Sequence, residues 1–138
     1  LCGEAGGRNI AANSIGAYPI LSMEYIYEED PDIVVGLSYR GGYERDKDTG
    51  MANEYEYILN LPGFDKLKAV EDNCVYILSR VIAYSPSSPC GLARMAKWFY
   101  PDDFKNLHPE VMLQEYVDNF CGGIDYNVSK QGVFYYPN

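Results

Sequence analysis

Histidine is nearly missing from this chain: His108 is the only one in 138 residues. It stands before Pro109, a helix-start context, so a Ser–His or Cys–His nucleophile pair has no free base to draw on. A metal site built on several histidines is excluded within this chain for the same reason. The four cysteines, Cys2, Cys74, Cys90 and Cys121, are widely spaced and form no C-x-x-C pair. That spacing excludes a zinc knuckle and a thioredoxin-like redox motif. At least some of them read as buried thiols, and one or two disulfides stay open for an exported protein. Positive charge is scarce: 11 Lys and Arg stand against 20 Asp and Glu, a formal net charge of −9. A nucleic-acid or anionic-membrane partner is set aside on that balance, because such binding rests on cationic neutralisation of phosphate. No apolar run approaches the roughly 18 residues of a membrane helix. No basic segment leads into a short apolar one, as a secretory signal would. The sequence starts at Leu1 without Met, and the expectation is a fragment of a longer precursor with any export signal upstream. No G-x-x-x-x-G-K-[ST] phosphate loop occurs, and "CGEAGG" is too short and follows no strand to be a dinucleotide fingerprint.

What the chain does have is tyrosine, 14 of them within 47% hydrophobic residues, more than a core alone needs. The length fits one domain with a real core. Residues 1–5 read as the tail of a helix stopped by Gly6 and Gly7. Ser22 reads as the N-cap of a helix over residues 23–29, with Glu24 in its first turn. "PDIVVGLS", residues 31–38, is too continuously apolar for an alternating edge strand and reads as a strand covered on both faces, a parallel-sheet signal. "MANEYEYILNLPGF" gives helical spacing and then a Pro-Gly stop. "LKAVEDNCVYILS" gives a short helix, a turn at Asp72 and Asn73, and a second buried strand over residues 74–79. "CGLARMAKWFYP" and "HPEVMLQEYVDNF" read as amphipathic helices. Helix, strand, helix, strand, helix predicts an α/β lobe of three layers, a mostly parallel central sheet flanked by helices, spanning residues 1–138.

In open α/β sheets ligands lie outside the carboxyl ends of the strands. The loops after Ser38 and Ser79 hold Tyr39, Arg40 and Tyr43 in one case and Arg80 and Tyr84 in the other. Aromatic faces with guanidinium groups suit a flat, anionic or chelated ligand through stacking and bidentate hydrogen bonds. "RDKDTG", residues 45–50, fails as a calcium loop: counted from Asp46, the sixth and twelfth positions are Met51 and Tyr57, where glycine and glutamate are needed. The acidic pairs Glu28-Glu29 and Asp102-Asp103 are adjacent, so they share no helix face and form no carboxylate dyad. Asn127-Val128-Ser129 is a glycosylation sequon that matters only on export.

"AGGRNIA", "AYPILSMEYI", "DPDIVVG", "LPGFDKLKAVEDNCVYIL" and "GLARMAKWFYPDDF" occur in an order and spacing that resembles the C-terminal lobe of the periplasmic substrate-binding proteins of ABC importers for ferric siderophores, haem and vitamin B12. The likeness covers most of the chain and thins after about Phe104. It implies a two-lobed protein of which this chain is the second lobe, an extracytoplasmic location in the periplasm or anchored to the outer face of the membrane, and capture and delivery of an iron chelate, haem or cobalamin without catalysis. It implies that Tyr18, just before a proline, faces the ligand. It implies that Glu24, in "LSME" where the family has V-S-x-E, docks on an arginine of the permease. Tyr39, Tyr43, Tyr84, Arg40 and Arg80 complete the expected ligand set. An isolated lobe is expected to dimerise through the apolar face its partner lobe covers. Two other readings stay open: a chelatase or nitrogenase-like metal-cofactor protein on a related fold, and a non-catalytic interaction module.

Overall fold

Two runs of branched and aliphatic residues, the kind that fit a pleated surface, form the backbone of the architecture. They are β1 (Val34–Ser38) and β2 (Val75–Ser79), paired in parallel and in register from Val34↔Val75 to Ser38↔Ser79. The structure is a computed structural model that describes residues 1–14, 16, 19–44 and 49–137. A third short strand, β3 (Tyr135–Tyr136), lies antiparallel on the other side of β2, with Leu78 opposite Tyr135. The sheet order is β1-β2-β3, parallel along its main ladder and mixed as a whole. Around it run α1 (Met23–Glu29), α2 (Thr49–Leu59), a 3-10 turn (Phe64–Lys66), α3 (Lys68–Glu71), α4 (Arg80–Tyr84), α5 (Ser88–Phe99), α6 (Pro109–Phe120) and α7 (Val128–Gln131). No helix among the described residues is long and apolar enough to cross a membrane.

Side chains alternate across a strand, and β2 uses both faces. Ile77 packs with Met51 of α2 and Val133, while Leu78 joins Ile82, Met95, Leu113 and Val117 from the helices on the other side, with Phe134 from the segment before β3. The result is three layers, α2 against one face and α5 with α6 against the other. Each fully buried aliphatic side chain is worth about 1.5–3 kcal/mol relative to exposure, so Ile77, Leu78 and Leu113, all nearly inaccessible, anchor both interfaces. The fit between α4 and α5 depends on Gly91, where a Cβ would run into the Ile82 carbonyl.

The helix ends follow their sequence signals. The Ser22 hydroxyl accepts from the Tyr25 N–H at 3.2 Å and starts α1 where expected. Asp30 closes α1 in the left-handed conformation, and its carboxylate accepts from the Lys68 N–H at 3.1 Å, capping α3 from across the fold. Lys68 in turn pairs with Asp32 at 2.9 Å and Asp72 at 3.0 Å, holding the Asp32 carboxyl below its ordinary value. Residues 1–7 form a turn that closes at Gly6 and Gly7, as expected. Gly6 takes φ 85° while the Gly7 N–H bonds the Cys2 carbonyl and the Gly6 N–H the Gly3 carbonyl, the paired bonds of a helix-ending turn.

Several boundaries differ from expectation. The first strand starts at Val34 rather than residue 31, since Pro31 lacks a ladder donor and Asp32 is turned to Lys68. The segment after Ser79 is a helical turn, α4, where a loop was expected. α7 and β3 carry too few residues for a periodic signal. His108 does stand at the helix start, but its side chain makes no capping bond and Pro109 supplies the preformed first turn. Asn127 of the sequon caps α7, accepting from the Lys130 N–H at 3.0 Å. All four cysteines are free thiols, and burial pushes the Cys90 thiol above its ordinary value.

Candidate functional site

Parallel in-register pairing has a direct consequence at the carboxyl edge of the sheet. Because Ser38 lies opposite Ser79, the next residues, Tyr39 and Arg80, emerge side by side. Ser79 also caps α4, its buried hydroxyl accepting from the Val81 N–H at 3.3 Å, so the chain turns helical at once. Helical spacing then brings Tyr84, four residues on, back over Arg80. The Arg80 guanidinium carbon lies 4.1 Å from the Tyr39 ring centroid and 5.1 Å from that of Tyr84. Its Nη1 also donates to the Tyr39 hydroxyl. Tyr39 is 81% and Tyr84 58% exposed, so the cation is held between two rings that face solvent. Such a group presents aromatic faces and unused guanidinium donors together, the recognition surface for a flat ligand bearing negative charge.

The other expected residues sit differently. Arg40 is exposed, its N–H donating to the buried Ser38 hydroxyl at 2.8 Å, and it borders an open hollow of about 400 Å³ with Asn53, Glu54 and Tyr57 of α2. That hollow extends the carboxyl edge beyond Tyr39. Tyr43 turns inward: its ring meets Phe134 edge-on at 5.1 Å and Tyr126 at 5.6 Å, and burial pushes its phenol above the ordinary value. It supports the core beneath this edge and does not join the exposed Tyr39, Arg80 and Tyr84 group. Glu24 is exposed in the first turn of α1, a separate element. Tyr18 lies outside the described residues, as do positions 45–48 of the polar loop. Among the described residues no cluster of three or more His, Cys, Asp or Glu could hold a metal ion.

Two features escaped the sequence reading. Tyr57, 69% exposed on α2, joins the hollow beside Arg40. A partly open cavity of about 210 Å³ lies elsewhere, between α5, α6 and the segment leading into β3, and Arg94 and Glu110 line it. The one available signal was a charge, Arg94, standing four residues after Cys90 on the otherwise apolar stripe of α5.

The fold is an α/β lobe whose parallel strands end at an exposed edge carrying Tyr39, Arg80 and Tyr84. No protein-family model matches the sequence, and no curated protein matches it. Among solved structures, the TroA-like periplasmic binding protein FepB from Veillonella parvula matches with a TM-score of 0.78 and 26% sequence identity, the alignment covering 95% of this chain and 39% of that chain. The chain thus spans well under half the length of that protein. It has the fold of a lobe of a TroA-like periplasmic binding protein.

Proposed function

We propose that this chain is the C-terminal lobe of an extracytoplasmic solute-binding protein that captures a ferric siderophore, or a related metal chelate such as haem or cobalamin, and delivers it unchanged to the permease of an ABC importer. The likeness to FepB supports a binding role. The observation that carries the ligand class is Arg80 held between the exposed rings of Tyr39 and Tyr84 at the carboxyl edge. A planar chelate with negative charge would stack on the rings and take hydrogen bonds from the guanidinium. Arg40 and Tyr57 would extend that contact, and Tyr18 remains a proposed ligand contact. Tyr43 would act only by supporting the edge from beneath. Glu24 would meet an arginine of the permease, a charge pair that sets docking orientation. A single lobe offers half a cleft, so tight binding needs a second lobe across it, because such pockets bury most of a ligand's surface. Alone, the lobe is expected to self-associate through the same edge, which sedimentation velocity reads directly.

The test is an equilibrium titration of the complete two-lobed protein with a ferric catecholate, a ferric hydroxamate, haem and cobalamin, alongside Arg80→Ala, Tyr84→Ala and Glu24→Ala. Saturable binding to one class is expected, weakened about tenfold or more by either of the first two substitutions. Glu24→Ala is expected to keep that affinity and to lower transport. Absence of binding to all four, or binding indifferent to Arg80 and Tyr84, would overturn the reading.

A further inference from the structure

The loop that carries Tyr39 and Arg40 is tied to a segment from the far end of the sequence. Gly42 and Val133 form an isolated antiparallel bridge: the Gly42 N–H donates to the Val133 carbonyl, and the Val133 N–H returns a bond to the Gly42 carbonyl at 3.1 Å. Both glycines of the loop are left-handed, Gly41 at φ 72° and Gly42 at φ 105°. Gly41 is also a point of close approach, since a Cβ there would stand 2.3 Å from the Val133 carbonyl oxygen and 2.7 Å from the Met51 sulfur. Val133 is itself fixed, packed with Met51 and Ile77. The carbonyl of the next residue, Phe134, accepts from the Ser79 N–H at 2.8 Å.

Two consecutive carbonyls of one segment, those of Val133 and Phe134, therefore hold both halves of the exposed edge. One fixes the Tyr39 loop through Gly42; the other fixes the Arg80 turn through Ser79. On the near side of the loop, the Ser38 hydroxyl accepts from the Arg40 N–H at 2.8 Å on the last rung of the parallel ladder. Only Tyr39, Arg40 and Gly41 lie between these fixed points. Tyr43, just beyond, is held too, its carbonyl accepting from the Tyr126 hydroxyl at 2.5 Å. Glycine loses more freedom on ordering than any other residue, and this exposed loop orders two of them. A binding loop gains from that, because a loop already ordered by folding loses little further freedom when a ligand arrives. We infer that Gly41, Gly42 and the Val133–Phe134 segment are positioning residues that set the Tyr39 ring over Arg80 in advance of ligand. This role rests on the proposed capture of a ligand at that edge, whereas the hold itself rests on the geometry of the loop alone.

Proton NMR on the full chain reads the hold without a ligand. The Tyr39 ring, its centroid 4.1 Å from the Arg80 guanidinium carbon, moves the neighbouring Arg80 δ-protons upfield, and Tyr39→Ala defines their position with that ring gone. Gly41→Ala drives a Cβ against the Val133 carbonyl. Gly123→Ala is the control: at φ 73°, with nothing within 4 Å of its Cβ, it brings the same left-handed strain away from the edge. In Gly41→Ala the Arg80 protons should move to their Tyr39→Ala position. The complete two-lobed protein with that substitution should bind about tenfold more weakly whichever of the ferric catecholate, ferric hydroxamate, haem or cobalamin the wild type takes. Gly123→Ala should change neither. In the wild type the Gly42 amide should exchange as slowly as the amides of β2, and this reading decides if circular dichroism finds Gly41→Ala unfolded. Fast exchange at Gly42, an Arg80 shift or an affinity unchanged in folded Gly41→Ala, or equal losses in Gly123→Ala would each overturn the positioning role. Binding of none of the four by the wild type would overturn the capture reading instead, and the hold is then judged on the Arg80 shift and the Gly42 exchange.

Discussion

Ser38 and Ser79 face each other on the last rung of the parallel ladder, and each buried hydroxyl accepts from an N–H two residues on, Arg40 at 2.8 Å and Val81 at 3.3 Å. The two bonds turn both chains out of the sheet at the same level, which is why Tyr39 and Arg80 meet. Ser79→Ala removes the cap of α4 and leaves the Val81 N–H without that acceptor. The expected loss is about 1 kcal/mol, a fall in Tm of a few degrees for a domain of this size. Ligand affinity should fall with it, because Arg80 is the first residue of the uncapped turn. Thermal melts and the ligand titration on the same variant check both; an unchanged Tm would show that the hydroxyl does not hold the turn.

Gly91 sits where α5 crosses closest to α4. A methyl group there meets the Ile82 carbonyl, a backbone atom that cannot swing away. Gly91→Ala should destabilise by about 1–3 kcal/mol through overpacking, even though alanine is the better helix former. Gly3→Ala is the control, since a Cβ at Gly3 meets nothing within 4 Å. Urea midpoints for the two variants should separate clearly, and equal midpoints would mean that the α4–α5 approach relaxes without cost.

Burial works to raise the Glu110 carboxyl, but its own backbone N–H, the charge of Arg94 and His108 outweigh it, and the group is held below its ordinary value of 4.5. A carboxyl lowered by folding adds stability that is complete above the unfolded value and is lost as pH falls through the native one. Its side chain is 34% exposed, so the contribution is screened and amounts to roughly 0.5 kcal/mol. Glu110→Gln should thus be less stable than wild type at pH 7, with the gap closing as pH falls below about 4.5. Melts across that range read the gap; a gap constant with pH would assign the effect to shape alone.

The long elements were legible because their residues repeat the period of the structure they form. Val75 to Leu78 announce a buried strand and Ser22 announces α1, because backbone and pattern agree locally, whereas the run Ile33 to Leu37, expected to be covered on both faces, forms a half-buried edge strand with Leu37 exposed. β3 was not legible: Tyr135 and Tyr136 are two residues before a proline, and their strand character comes from pairing with Ile77 and Leu78, far away in the chain. The carboxyl edge was half legible. The rule that ligands lie beyond parallel strands picked out Tyr39, Arg80 and Tyr84, but no periodicity told Tyr43, turned inward onto Phe134, from Tyr39, turned outward. The Arg94 cavity was hidden because it forms only when α5, α6 and the β3 segment assemble.

The single tryptophan of the chain occupies a telling place. Trp98 of α5 stacks on Tyr76 of β2 with centroids 4.4 Å apart and planes within 8°. Its other aromatic neighbour, Tyr135 at 6.3 Å, is the ring on which Arg94 rests. The protein thus carries one indole emitter wedged between helix and sheet, away from the Tyr39 and Arg80 edge and one ring removed from the Arg94 cavity. Its emission is a built-in optical gauge that discriminates by location: the colour and intensity of that light follow the seam between α5 and the sheet.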